Sequence, residues 1–422
     1  MGRPSVTHRI YLVPGFFGFA NLGELRYFTH VREFLAQCCE GLGLPAEIEV
    51  VKTYPTSSLP RRATRVLETI AATARSGNDP VHLIGHSSGG LDVRLAIAPN
   101  VSLRTDLNVE RLARSIRTVV TVATPHHGTP LASFFASLLG QQFLQVLALI
   151  TVYVLRFGKL PMSVLLPIAA VFARLDERVG VNSALLDQLF GQLLENFSTE
   201  RRRAVQAFLS EVGKDQALVA QLTPEGMDLF NASTRDRPGV RYGCVLTRGH
   251  TPGMRSTLSA GLDPAAQLSH MVYHAIYRLA ARLPRARTPE LTRDQARALR
   301  RAFGTMPGNA ANDGVIPTLS QVWGDVVHAT QADHLDVIGH FSDPTHRPPH
   351  YDWLSSGSGF TRQRFEALWN DVACYIAVGQ HAVAKAPLRE RPASERPRLV
   401  QVRRADSAGR PAARRRLPPV PK

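Results

Sequence analysis

The sequence predicts an α/β fold, a mostly parallel central sheet flanked by helices, with a helical and apolar insertion in its middle. Three observations carry this expectation. Short apolar runs around Tyr11-Leu12-Val13, Ile48-Val50-Val51, Val81-Leu83-Ile84 and Ile116 to Ala123 alternate with stretches of helical periodicity, as a parallel sheet with crossover helices requires. The run VHLIGHSSGG, Val81 to Gly90, passes from an apolar strand through Gly85-His86-Ser87-Ser88-Gly89 into a helical pattern. After Pro130 the composition shifts to FFASLLGQQFLQVLALITVYVL, too apolar for an ordinary surface connection.

The turn is where chemistry is expected. Gly85 and Gly89 let the two backbones approach closely, so a sharp strand-to-helix turn perches Ser87 outward and points the Ser88 N–H at a developing oxyanion. A serine hydroxyl is a poor nucleophile without a base beside it. The motif therefore predicts an acid and a base later in the chain, and a plain Gly-Ser turn is the alternative until they are found.

In chain order, the first strand runs into Pro14-Gly15-Phe16-Phe17-Gly18, a loop expected to offer a second oxyanion donor, the Phe16 N–H. Leu22 to Leu42 reads as a loop and a helix with Val31, Phe34 and Leu35 on one stripe. Between Arg61 and Arg75, Ala63, Val66, Leu67, Ile70, Ala71 and Ala74 recur at helical spacing, which leaves the arginines and Glu68 outward. Ligands of such sheets bind beyond the carboxyl ends of the strands, where the turn puts Ser87. The fourth strand closes in Thr124-Pro125-His126-His127-Gly128. Both histidines come too soon after Ser87 for the chain order nucleophile, acid, base, and they read as loop packing near the site mouth.

The apolar block from Leu131 to Ala173 admits three readings. A membrane span needs ~20 uninterrupted apolar residues, and Gln141, Gln142, Gln145, Arg156, Lys159 and Pro161 interrupt it. A core or dimer-forming helix pair and a mobile cap that meets a lipid surface remain, and the density of apolar residues favours the cap. Asn182 to Phe197 adds an amphipathic block with Leu185, Leu186, Leu189, Phe190, Leu193 and Leu194. A helix opens at Thr223 with Pro224 behind it, Val240 to Leu246 returns to strand, and Gln267 to Leu283 is helical. His270 and His274, four apart on that helix, have no matching carboxylate and read as an ordinary helix face.

The acid and base appear late. Asn312-Asp313-Gly314 is a tight turn beside an apolar run, which can fix a carboxylate so that it orients an imidazole; Asp313 is favoured over Asp325. Val326 and Val327 suggest the last strand, and His334 lies in the loop beyond it, some twenty residues after the acid. His328, His340, His346 and His350 are its rivals.

The bulk properties bound the partners. The chain has 422 residues, 44% hydrophobic and 20% charged, with formal net charge +16. Twelve Lys or Arg against three acids from Lys385 to Lys422 supply +9 of this, so the body is only mildly basic and no nucleic-acid partner is expected. The tail reads as a disordered, solvated segment. Cys38, Cys39, Cys244 and Cys374 show no metal spacing, and reduced thiols are expected. No signal peptide is seen, so the default address is cytoplasmic, with peripheral membrane association through the cap. The expected organisation is a first core half over 1–130, the cap over 131–235, a second core half over 236–380 and the basic tail over 381–422. Oligomeric state is not read from the sequence.

The runs PGFFGFANLGELRYF, GHSSGGLDVR, VATPHHGTPLA, NDGVIP and DHLD, in that order, resemble the bacterial true lipases of the Pseudomonas and Burkholderia type, within the α/β-hydrolase superfamily. The resemblance covers Arg9 to His127 and Gly239 to Ile338 and is lost in the apolar middle and the tail. It implies Ser87 as nucleophile, Asp313 as acid, His334 as base, and Phe16 and Ser88 as backbone donors to the oxyanion. The expected reaction is hydrolysis of a carboxylic ester of a lipid, with medium or long acyl chains. Pro14 departs from the histidine usual before the oxyanion glycine. The chemistry requires no cofactor. Those lipases carry a structural calcium near the catalytic histidine, for which Asp336 matches one ligand, but His340 stands where an amide is expected and no upstream aspartate is evident. Two other classes stay open: an acyltransferase using the same three residues with an alcohol acceptor, and a catalytically silent, membrane-associated relative.

Overall fold

Six short strands pair in parallel throughout, in the order β2-β1-β3-β4-β5-β6. They are β1 (His8–Val13), β2 (Ala46–Val50), β3 (Val81–His86), β4 (Ile116–Val122), β5 (Arg241–Arg248) and β6 (Asp325–Gln331). The computed structural model describes residues 6–16, 27–74 and 79–137, scattered positions of 140–166, then 191–195, 197–259, 263–283, 287–347, 352 and 355–383. Strands β1 and β3 are buried along their whole length, as central strands covered on both faces must be. The edge strand β2 instead carries Glu47 and Glu49 on either side of buried Ile48, and such charges discourage pairing with another chain.

Helices cover both faces. Among the described residues they include α1 (Val31–Gly41), α2 (Leu59–Thr73), α3 (Ser88–Ala96), α4 (Val109–Ala113) and α5 (Pro130–Phe135), then α6 (Thr199–Lys214), α7 (Ala217–Gln221) and α8 (Pro224–Ser233), and finally α9 (Met254–Ser259), α10 (Pro264–Ala280), α11 (Arg293–Phe303) and α12 (Arg362–Val383). Alternate residues of one strand serve opposite faces. Ile10 and Leu12 of β1 pack with Val31 and Leu35 of α1 and Leu368 and Trp369 of α12, whereas Tyr11 and Val13 pack with Ala63, Val66 and Ile70 of α2.

The described elements between β4 and β5 are all helical, and Leu144, Leu147, Ile150 and Tyr153 of this insertion are buried in the α1 and α12 side of the core. No described helix is long and apolar enough to cross a membrane. Most of the amphipathic block Asn182 to Phe197 lies outside the described residues, as does the tail from 384. The Thr223 start is met: its hydroxyl accepts from Gly226 N at 3.1 Å with Pro224 at the first turn. Helix α10 opens at Pro264, three residues before the sequence pattern, because proline suits a first turn and its missing N–H is not needed there. All four cysteines are free thiols. One expectation is overturned: Arg61, Arg65 and Glu68 face outward on α2, but Arg62 is completely buried.

At the amino ends of the strands, His8 Nδ1 and His82 Nε2 sit 3.0 Å apart in a stacked pair. Burial, with His8 and Arg117 nearby, pushes His82 down to about 3. Below about pH 6.5 the unfolded chain takes up a proton at this residue that the folded chain refuses, so stability falls with pH by about 1.4 kcal/mol per unit from this group alone. Urea unfolding of wild type and His82→Leu at pH 7, 6, 5 and 4 should therefore show the difference shifting in the variant's favour by about that slope; parallel profiles contradict it.

Candidate active site

Ser87 links β3 to α3 with φ 54° and ψ −131°, a region that non-glycine residues rarely occupy. Its neighbours explain why the chain accepts this. A Cβ on Gly85 would lie 2.3 Å from Gly89 O, one on Gly89 2.3 Å from Val13 O, and one on Gly90 2.1 Å from Thr124 Oγ1. Strand, turn and helix are thus packed so closely that no side chain fits at these three positions. Ser87 N donates to Val122 O at 2.8 Å, and Ser88 opens α3, where first-turn N–H groups lack intrahelical acceptors and carry partial positive charge.

The loop after β1 lies directly against this turn. A Cβ on Gly15 would fall 2.4 Å from Ser87 Cβ and 2.8 Å from His86 O, so only glycine fits. Buried Arg62 holds the loop from behind. Its Nη2 donates to Pro14 O at 2.8 Å and Gly15 O at 3.3 Å, Nη1 donates to Tyr54 O, and Asp92 of α3 accepts from Nε at 2.9 Å with its Oδ2 in an ion pair 2.7 Å from Nη2. In a trans peptide the C=O and N–H point in opposite directions. Pinning Gly15 O on Arg62 therefore turns the Phe16 N–H of the same peptide away from Arg62. The Gly15 N–H is committed elsewhere, donating to Tyr27 Oη at 2.9 Å.

Asp313 and His334 form the second half of the site. The Asn312-Asp313-Gly314 turn wraps the carboxylate in donors: Oδ1 accepts from Val315 N and Ile316 N at 2.9 and 2.7 Å, and Oδ2 accepts from Thr247 Oγ1 and Gln321 Nε2 at 2.7 and 3.2 Å. His334 Nδ1 donates to the same Oδ2 at 2.9 Å, and His334 N donates to Asp313 O at 3.0 Å. With Nδ1 protonated by this contact, Nε2 is the basic nitrogen. Ser87 and His334 line one cavity. The serine hydroxyl and the imidazole make no mutual hydrogen bond in this structure, a separation common before substrate closes such a site.

The rivals are placed elsewhere. His328 pairs with Asp371 of α12 at 2.8 Å, and Asp325 accepts from Tyr375 Oη. His340 lines the cavity but contacts Tyr27 O through Nε2 at 2.9 Å. His346 packs on His30, and His350 is outside the described residues. His126 is not at the mouth as the sequence suggested. It is completely buried beside α3, between Arg94 and Thr121 at 3.0 Å each, and burial with the Arg94 charge pushes its pKa well down. His270 Nδ1 meets Ser355 O at 2.8 Å.

The cavity is narrow and apolar. Phe16, Leu131, Phe135, Leu144, Leu147, Val219, Leu222, Ile276, Val315 and Ile338 form most of its wall, and its volume is about 100 Å³.

A hard divalent cation fits one neighbouring cluster better than the sequence indicated. Carboxylate oxygens of Asp333, Asp336 and Asp352 lie within 4.8 Å of one another, and Asp333 Oδ2 is buried without a hydrogen-bond partner. Burial raises Asp333 to about 6, and burial with the Asp333 charge holds Asp336 well above the usual carboxylate range. An oxygen-only donor set of this kind suits calcium or magnesium. The sequence reading found Asp336 alone. Asp333, adjacent to His334, was in view in the DHLD run, whereas Asp352 arrives through a later loop. Arg62 carried a readable signal too, since Leu59, Arg62, Ala63, Val66, Leu67 and Ile70 share one helical stripe and are all buried. Tyr27 carried none.

Residues 59–158 match the family described as "Putative serine esterase (DUF676)". No curated protein matches the sequence. Among solved structures, EstA from Clostridium botulinum is 16% identical, with 88% of this chain and 87% of that one covered and a TM-score of 0.51. A metagenomic carboxyl esterase gives 16%, 90%, 77% and 0.48 in the same order, and Staphylococcus hyicus lipase 13%, 89%, 97% and 0.48. The fold is that of the α/β-hydrolases. Together with the matched segment, which spans the Ser87 turn, it supports an ester-hydrolysing serine hydrolase, without singling out the Pseudomonas and Burkholderia lipases.

Because a methyl on Gly15 has no space beside Ser87, Gly15→Ala should push the loop off the turn. The expected loss is about 10²–10³-fold in kcat, the scale of a displaced oxyanion donor, read on a short p-nitrophenyl ester. Wild-type turnover in a folded variant contradicts the loop's role.

Proposed function

We propose that this chain hydrolyses carboxylic esters of lipids, as a triacylglycerol lipase or esterase, through an acyl-enzyme intermediate. The observation that carries the reading is the Asp313–His334 pair opening onto the same apolar cavity as the strained Ser87. His334 Nε2 takes the Ser87 proton as Oγ attacks the ester carbonyl. The carbonyl oxygen gains negative charge and is held by the Phe16 and Ser88 N–H groups. Collapse expels the alcohol with the proton from His334, and water, deprotonated by the same nitrogen, then releases the acid. Asp313 keeps the imidazole in the right tautomer and stabilises its charged form.

The cavity supports an uncharged, thin acyl group as its occupant. Polar side chains on its wall are engaged within the protein: Thr129 Oγ1 donates to Val315 O at 2.6 Å, and His340 contacts Tyr27 O. Medium or long acyl chains follow from the apolar lining, with lipid contact made through the insertion between β4 and β5. A divalent cation on Asp333, Asp336 and Asp352 would supply charge neutralisation beside the base loop, and no chemical step uses it. Calcium should accordingly raise the thermal midpoint of wild type but not of Asp336→Asn; equal shifts contradict that site.

The decisive experiment is labelling with a fluorophosphonate, followed by peptide mapping and a chain-length series of p-nitrophenyl esters. Label on Ser87, turnover abolished in Ser87→Ala and a roughly 10⁴-fold loss in Asp313→Asn are expected. Labelling elsewhere, or activity surviving Ser87→Ala, contradicts the reading. Ester products formed from added alcohol would identify an acyltransferase.

A further inference from the structure

We propose that Tyr27 and His86 form a positioning bridge that fixes the separation between the oxyanion loop and the base loop around Ser87. The inference rests on the hydrolase reading above and goes beyond its residues.

The bridge is a directed chain of three hydrogen bonds. Gly15 N donates to Tyr27 Oη at 2.9 Å, Tyr27 Oη and His86 Nδ1 are 2.7 Å apart, and His86 Nε2 is 2.9 Å from the His334 carbonyl oxygen. The two ends determine the direction. An amide N–H can only donate and a carbonyl can only accept. His86 Nε2 must therefore carry the imidazole proton, Nδ1 must accept, and the Tyr27 hydroxyl must point its proton at Nδ1. Every member has one role, and no other tautomer satisfies all three contacts. Burial, with His334 close by, keeps the His86 ring neutral, which this arrangement needs.

The bridge also sits where the three working segments meet. Gly15 belongs to the oxyanion loop, His86 directly precedes Ser87, and the His334 carbonyl belongs to the base. The segment carrying Tyr27 is sewn to the base loop at two more points: His340 Nε2 meets Tyr27 O at 2.9 Å, and Thr29 N donates to Ile338 O at 2.9 Å. Gly339, at φ 99°, leaves no room for a side chain there, since its Cβ would lie 2.1 Å from Thr29 O. Removing the Tyr27 hydroxyl would leave the base loop attached to residues 27–29 but free the Gly15 amide and the His86 ring. Tyr27 also lines the cavity, and Phe keeps its ring there, so what changes is the placement of the oxyanion donors relative to His334.

The test uses the full chain and a soluble p-nitrophenyl ester. Wild-type turnover that disappears in Ser87→Ala secures the hydrolase reading separately. Tyr27→Phe should then lower kcat by about 10–100-fold, the scale of a sub-ångström to ångström misplacement, with KM within about twofold. Its affinity for a trifluoromethyl ketone, whose adduct carries the oxyanion, should fall by the same factor. His86→Asn, which cannot span from Tyr27 to the His334 carbonyl, should lose a similar amount, and the double variant should be no worse than the weaker single, as members of one unit behave. Wild-type kcat in Tyr27→Phe, a loss expressed in KM, an unchanged ketone affinity or multiplying effects in the double variant overturns the bridge. If His86→Asn does not fold, the kcat, KM and ketone readings of Tyr27→Phe decide alone.

Discussion

Ser87 sits in a backbone conformation that side chains avoid, φ 54° and ψ −131°, at a local cost of order 1–3 kcal/mol. Such a residue persists only where its surroundings leave it no alternative. Here the surroundings are close contacts across the turn: β3 against the start of α3, the start of α3 against the end of β1 and Thr124, and the loop after β1 against the serine itself. These contacts are possible because Gly15, Gly85, Gly89 and Gly90 have no side chains. The strain lifts the hydroxyl above the sheet, and the glycines keep it there.

The second determinant is a buried ion pair used for direction. Arg62 and Asp92 are both fully enclosed, and taking two charges out of water costs several kcal/mol per ion, which their attraction roughly offsets. Net stability is therefore a poor account of the pair. Its geometry is a better one: the planar guanidinium spends its remaining donors on Pro14 O, Gly15 O and Tyr54 O, so helices α2 and α3 together set the orientation of the loop after β1. Arg62 grips the loop through its carbonyls, and Tyr27 grips it through an amide.

Much of the fold and the core of the site were legible because they are written in local residue types. An elbow needs small residues on both sides of the nucleophile, and an Asn-Asp-Gly turn presents a carboxylate to its own backbone; both show within seven residues. Strands buried on both faces show as apolar runs. Arg62, Asp92, Tyr27 and Asp352 act through partners tens to hundreds of residues away, and no local pattern announces such a partner. Arg62 was read outward because charge outweighed position, although it stands in the apolar stripe of its own helix. His126 was placed near the mouth because it follows a strand end, whereas the chain after β4 turns it under α3 against Arg94. The tri-aspartate cluster has no local signature for the same reason, since Asp352 stands well along the chain from Asp333 and Asp336.

Strands β4 and β5 hydrogen-bond side by side although residues 123–240 separate them. The sheet thus closes the insertion at its base, and the entropic cost of a longer loop grows slowly, by about 0.6 kcal/mol for each doubling. Changes of length in those parts of the segment that do not pack into the core therefore cost little at the sheet. On the proposed reading, the set of esters admitted can change with the insertion while Ser87, Asp313 and His334 stay where the sheet holds them.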